Sequence, residues 1–201
     1  MCGRYYVDDE TAREIEKLVW QVEERKRQES LRAVSRMKTS DIYPGKEAPV
    51  LSGKNGSICC GWQHWGFPGF EGKKLIFNAR CESALEKPLF RDSIRYRRIV
   101  IPASWFYEWN RRKEKNTFYR SDMPVLFMAG FCRQYEDGEH FVILTTAANE
   151  SMEPVHDRMP LILERQDIAG WIFDDAKTEN ILHKIPCLLE RKTEYEQLSL
   201  F

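Results

Sequence analysis

Residues 48–65 read APVLSGKNGSICCGWQHW: two β-forming runs joined at Asn55 and Gly56. An Asn-Gly pair supplies the two positive-φ positions of a tight type I′ turn, so the stretch predicts a β-hairpin. Upstream, DIYPGKEAP (41–49) reads as a loop, because Pro44 fixes φ and Gly45 permits the turn. Before it, EERKRQESLRAVSRMK (23–38) is highly charged and predicts a solvated surface, with Leu31, Val34 and Met37 as its apolar contacts. Ile15, Leu18, Val19 and Val22 fall on one face of a helix starting near Thr11, capped by Asp8 or Asp9. RYYV (4–7) precedes that helix as a short strand.

Downstream, KKLIFNAR (73–80) predicts a strand, and RYRRIVIPASWFYEWN (95–110) predicts two more. TFYRSD and PVLFMAGFCRQY follow as strands, EDGEH (136–140) turns, FVILTT returns and MPLILE (159–164) reads as the final strand. A helix over RQDIAGWIFD (165–174) places Ile168, Trp171 and Ile172 on one face. Trp62, Trp65 and Trp105 read as core or strand-pair aromatics, and Trp20 and Trp171 as helix contacts. The class is α+β: one β-rich domain over residues 1–201, a strongly bent sheet or barrel with peripheral helices.

Lys plus Arg number 31 and Asp plus Glu 31, so no global field draws the chain to nucleic acid, and any such binding needs a local patch. Arg91, Arg95, Arg97 and Arg98 are candidates to extend one, whereas RRKEK (111–115) reads as a solvated hairpin turn. None of the six cysteines forms a C-x-x-C pair, which argues against zinc-ribbon and thioredoxin-like sites and fits reduced thiols in a cytoplasm. No apolar run approaches the ~20 residues of a membrane span, and the first residues lack the apolar stretch of a signal peptide. Serine elbows, Gly-rich phosphate loops and H-E-x-x-H are absent, so the common hydrolase, nucleotide and zinc-protease readings lack support; no metal and no cofactor are expected.

Asn78, Arg80, Glu108 and His156 are polar residues within or at the edge of apolar stretches. Glu108, flanked by Trp105, Phe106, Tyr107 and Trp109, is expected to be partly desolvated, raising its pKa toward a range useful for proton transfer; the alternative is an outward-facing strand glutamate. His156 beside Asp157 and Arg158 could serve as acid or base, or simply be structural. Cys2 follows the initiator methionine, which is normally trimmed before a small residue. Trimming would put an amine of pKa ~8 and a thiol of pKa ~8.5 on one residue, a 1,2-aminothiol able to attack an acyl group or condense with an aldehyde. A cysteine buried in a first strand is the plainer alternative.

Taken jointly, MCGRY (1–5), YPG (43–45), WG (65–66), FNARCES (77–83), PASWFYEW (102–109) and LTTAANESMEPVHDRMPLIL (144–163) resemble the SOS response-associated peptidase (SRAP) family. The resemblance implies single-stranded DNA binding and covalent capture of abasic sites as a thiazolidine, without a cofactor, by a monomer in the cytoplasm or on the nucleoid. It makes Cys2, Asn78, Glu108 and His156 the catalytic residues. Arg4, Arg80 and Arg158 match arginines of the DNA groove, and Pro44 matches a loop proline. Phe70 in WGFPGFEG is by spacing the aromatic that wedges beside the lesion, in a loop shorter than that of members with a Trp pair. Two other readings stand beside this one: a cysteine peptidase that removes its own Met1, and a non-catalytic DNA-binding or scaffold module.

Overall fold

The computed structural model describes residues 2–19, 24–69 and 74–193. In chain order the first elements are β1 (Tyr5–Val7), α1 (Asp9–Val19), α2 (Glu24–Ser35), β2 (Ser40–Ile42), β3 (Glu47–Lys54) and β4 (Ser57–Trp65). The middle of the chain gives β5 (Asn78–Arg80), α3 (Cys81–Ala84), α4 (Arg91–Tyr96), β6 (Arg98–Ala103), β7 (Trp105–Trp109) and β8 (Lys115–Tyr119). The remainder gives β9 (Leu126–Tyr135), β10 (Gly138–Ala147), β11 (Arg158–Pro160), β12 (Ile162–Leu163), α5 (Asp167–Phe173), α6 (Thr178–Leu182) and β13 (Glu190–Thr193).

The hairpin forms as the Asn-Gly pair requires: φ is 49° at Asn55 and 74° at Gly56, and Lys54 faces Ser57 across the turn. From this hairpin the ladder runs β4–β3–β6–β9–β10, and β10 returns to β4 in parallel, His140 opposite His64 and Phe141 opposite Trp65. The ring is therefore a closed barrel, and closure removes the exposed edges of its strands. β5 and β11 extend from β10, and β12 from β9. A second sheet, ordered β13-β8-β7-β1-β2, lies outside the ring.

β6 and the Leu126–Cys132 part of β9 are buried on both faces, and their alternation divides the core. Ile99, Ile101 and Met128 join Tyr5, Phe106 and Phe118 of the second sheet, while Val100, Ala129 and Phe131 join Ile15, Val34, Trp171 and Ile172 of the helices. The barrel wall is tightest at Gly130, where a methyl group would lie 2.5 Å from the Val142 carbonyl oxygen and 2.6 Å from Ile101 Cδ1. Gly130→Ala should push β9 off β10 and cost about 1–3 kcal/mol, read as a lower midpoint in urea unfolding with an unchanged slope.

Several expectations need correction. KKLIFNAR forms a ladder only over Asn78–Arg80; before it, Ile76 makes a single bridge to Phe67. MPLILE breaks at Leu161, whose N–H donates to Leu144 O on β10 while its carbonyl accepts from Ala129 N on β9, so the chain steps from one strand to the next. It is also not the last strand, since β13 pairs with β8. α2 is more than a solvated surface: Ser30 is buried with Oγ accepting from Cys60 N (3.1 Å), and Trp62 Nε1 donates to Ala33 O (2.8 Å). Arg98 extends no groove; it is buried, donating to the carbonyls of Trp171, Ile94 and Arg95 and pairing with Asp175 at 2.6 Å. Asp8 caps α1 through Thr11 N (3.0 Å), and Ile15 and Val19 are buried as expected, while Trp20 and Val22 lie outside the described residues. Among the described residues no helix is long and apolar enough to cross a membrane.

Candidate functional site

The site begins where β1 leaves the chain start. Cys2 is 1% exposed, and its backbone carbonyl accepts a hydrogen bond of 2.9 Å from Asn78 Nδ2. Asn78 opens β5, which runs parallel to β10 with Asn78 opposite Ile143. That bond ties the chain start, which leads into the outer sheet, to a strand held on the barrel. The Cys2 thiol points to the Arg4 carbonyl at 3.9 Å. Burial first, and then the negative charge of Glu108, push this thiol well above the usual thiol range.

Glu108 reaches this place through strand alternation. Along β7, Trp105 and Trp109 are more exposed, whereas Phe106 and Glu108 share the inward side, and Glu108 is 4% exposed opposite the buried Asn116 of β8. A carboxylate among core aromatics is costly unless it is held or used. Tyr5, not singled out from the sequence, completes the surroundings. Its ring is fully buried against Trp65, and its phenol is pushed well above the usual tyrosine range by burial and then by Cys2. Among the described residues the Tyr5 hydroxyl and Asn78 Oδ1 are buried without a hydrogen-bond partner, two polar atoms beside Cys2 whose bonding capacity is unspent.

His156 follows a tight turn, its N–H bonded to Met152 O at 3.0 Å. Its Nδ1 lies 3.0 Å from the Arg158 N–H and 2.9 Å from Asp157 Oδ1. The neutral ring accepts from Arg158; the protonated ring donates to Asp157 instead, so each protonation state has a partner for Nδ1. The residue borders an open cleft of about 640 Å³ shared with Arg111, Arg112 and Ala147.

Arg158 and Arg4 are engaged by carboxylates, and Arg80 is exposed. Arg158 on β11 makes a two-pronged ion pair with Glu82 (2.6 and 2.9 Å) and also donates to the Thr145 carbonyl. That pair holds the Glu82 carboxyl below the usual range. Arg80 is exposed at the end of β5, paired with Thr145 in the ladder, so the strands carrying Arg80 and Arg158 both lie along β10. Arg4 pairs with Asp41 of β2 and stacks over the rings of Tyr43 (5.0 Å) and Tyr107 (4.8 Å). Pro44 is half-buried in the turn between β2 and β3, next to Tyr43. Phe70 lies outside the described residues. The carboxylates Asp41 and Glu82 had no sequence signal of their own, although Glu82 sits two residues past Arg80 in FNARCES. Among the described residues no group of His, Cys, Asp and Glu is arranged to hold a metal ion.

A closed barrel with an outer sheet, and a second-position cysteine held at their junction by an asparagine near a buried glutamate, define a class. The chain belongs to the SOS response associated peptidase (SRAP) family, whose sequence model matches residues 1–199. It is similar to the abasic site processing protein YedK of Escherichia coli, 28% identical over 140 residues, covering 66% of this chain and 63% of that protein. The abasic site processing protein YoqW of Bacillus subtilis is 38% identical over 110 residues, 50% of this chain and 49% of YoqW. HMCES of Xenopus tropicalis, also named an abasic site processing protein, is 28% identical over 137 residues, 54% of this chain and 41% of HMCES. The matches thus span under two thirds of these relatives. Among solved structures, a Bacteroides thetaiotaomicron protein superposes with a TM-score of 0.74 at 19% identity, covering 96% of this chain and 91% of its own. A phage-related protein of Bordetella bronchiseptica gives 0.74 at 20%, covering 97% and 95%. These two likenesses establish the fold.

Proposed function

We propose that this chain captures abasic sites in single-stranded DNA as a covalent thiazolidine on Cys2, after loss of Met1, acting as one domain and a monomer in the cytoplasm. The observation that carries the reading is the Asn78–Cys2 bond of 2.9 Å beside buried Glu108, which fixes the second residue of the chain where a proton acceptor is close. The relatives named as abasic site processing proteins support the substrate class.

The chemistry follows from the resting thiol. The neutral α-amine of Cys2 adds to the C1′ aldehyde of the ring-opened sugar. The carbinolamine then loses water to an iminium, with His156 supplying the proton that turns the hydroxyl into water. The thiol adds to the iminium carbon, and its proton passes to Glu108 as the C–S bond closes the five-membered ring. One water leaves in total, and both nucleophiles reside on one residue, so closure gains the effective molarity of an intramolecular reaction. Asn78 orients the residue through its carbonyl. Arg4, Arg80 and Arg158 hold phosphates, Pro44 shapes the loop beside them, and Phe70 stacks on a base. A peptidase would need the thiolate as first nucleophile, and burial beside Glu108 works against that species.

The direct test mixes the purified protein with an abasic single-stranded oligonucleotide. An adduct stable to heat and SDS is expected, and Cys2→Ser should leave only a species trapped by borohydride, because the amine remains and the ring cannot close. Full stable adduct from Cys2→Ser would overturn the mechanism. The groove has its own test. Each single-strand phosphate that a side chain no longer neutralises lowers the salt slope by ~0.7. Arg80→Ala and Arg158→Ala are each expected to weaken binding to intact single strands and flatten log Kd against log salt, while unchanged slopes would place the strand elsewhere.

A further inference from the structure

Residues 197–201 read Gln-Leu-Ser-Leu-Phe. In a chain with 31% charged residues, these five carry no charge and three of them are large apolar side chains. The pattern is that of a docking peptide: an amide to anchor in a polar pocket, then Leu198, Leu200 and Phe201 to fill an apolar one, with a small Ser199 between them. The family match ends at residue 199, so Leu200 and Phe201 fall outside it.

The described fold fixes the root of this peptide. β13 pairs Glu190 with Tyr119 through to Thr193 with Asn116, and Thr193 Oγ1 donates to Asn116 Oδ1 at 2.8 Å. Asn116 is in turn the cross-strand partner of Glu108. The eight residues from 194 to 201 reach at most about 28 Å when fully extended. Whatever takes up residues 197–201 is therefore held within that distance of the strands that carry the candidate site. A short tether of this kind raises the local concentration of the tethered partner to the millimolar range, which favours a partner already on DNA.

We propose that residues 197–201 dock in the peptide groove of a DNA sliding clamp, the ring-shaped protein that encircles duplex DNA during replication and repair. An uncharged Gln-Leu-Ser-Leu-Phe suits a groove with one polar and one deep apolar pocket. On the function proposed above, a reach of at most about 28 Å beyond Thr193 would keep the candidate site near single-stranded DNA exposed beside the clamp.

The test uses the full chain and the purified sliding clamp of its own cell, without DNA, so it is independent of any chemistry at Cys2. Fluorescence anisotropy of the labelled chain should saturate with a Kd below about 100 μM, the range of a single short-peptide contact. Truncating a central anchor commonly costs tenfold or more, so Leu200→Ala and Phe201→Ala should each weaken binding at least about tenfold. A chain with the order of residues 197–201 reversed keeps the composition and should also lose binding. Its melting temperature should stay at that of the unaltered chain, which shows that the domain is folded. No saturation up to about 100 μM, or equal affinity for the unaltered and reversed chains, would overturn the proposal.

Discussion

Insertion of one alanine between Met1 and Cys2 is expected to abolish the stable DNA adduct, although the Cys2 thiol, Asn78, Glu108 and His156 are all retained. Removal of Met1 would then expose the amine of alanine, and the nitrogen of Cys2 would stay in a peptide bond. Its lone pair is delocalised into the carbonyl, so it cannot form an iminium with the sugar aldehyde. The thiol alone can give only a reversible hemithioacetal, which does not survive heat and SDS. The insertion falls ahead of β1, whose pairs run from Tyr5 to Val7, so the fold should be untouched and an unchanged melting temperature serves as the control. The comparison protein carries any tag at its other end, with processing to Cys2 confirmed by mass. Equal adduct yields from the two would exclude the aminothiol and point to another nucleophile.

Glu108→Gln is expected to slow adduct formation by ~100- to 10,000-fold, the usual consequence of removing a general acid or base. The replacement keeps the shape of a side chain that is 4% exposed, so affinity for intact single strands should not move. A second readout separates catalysis from packing. The Glu108 charge is one of the causes that raise the Cys2 thiol, second to burial, so the amide should let the thiol titrate at lower pH. Iodoacetamide labelling followed across pH should shift downward even as the crosslinking rate falls. A lower rate with no shift would make Glu108 a packing residue, and an unchanged rate would remove it from the mechanism.

The parts of the fold legible in the sequence are those whose cause is local. Asn55 and Gly56 carry the backbone angles of the hairpin in two residues, and the apolar run Ile99–Ile101 needs no partner to read as a buried strand. β13 was invisible because Glu190–Thr193 has no apolar alternation; it is a strand only through its pairing with β8, some seventy residues away. Arg98 read, with Arg97, as a candidate to extend a basic patch, and its burial depends on the carbonyl of Trp171, which no local pattern announces. The candidate site divides the same way. Asn78 and Glu108 stood out as polar residues among apolar neighbours, whereas Asp41 and Glu82 matter through arginines distant in sequence and look like any surface acid.

Enclosure of Cys2 also bears on how long the protein keeps. Peroxide and related oxidants attack the thiolate, and a sulfur taken to the sulfinic state is in most proteins beyond recovery. A thiol held protonated at 1% exposure presents little of the vulnerable form. For the capture proposed above, a nucleophile used once per lesion and idle between lesions would thereby keep its reactive form through the wait.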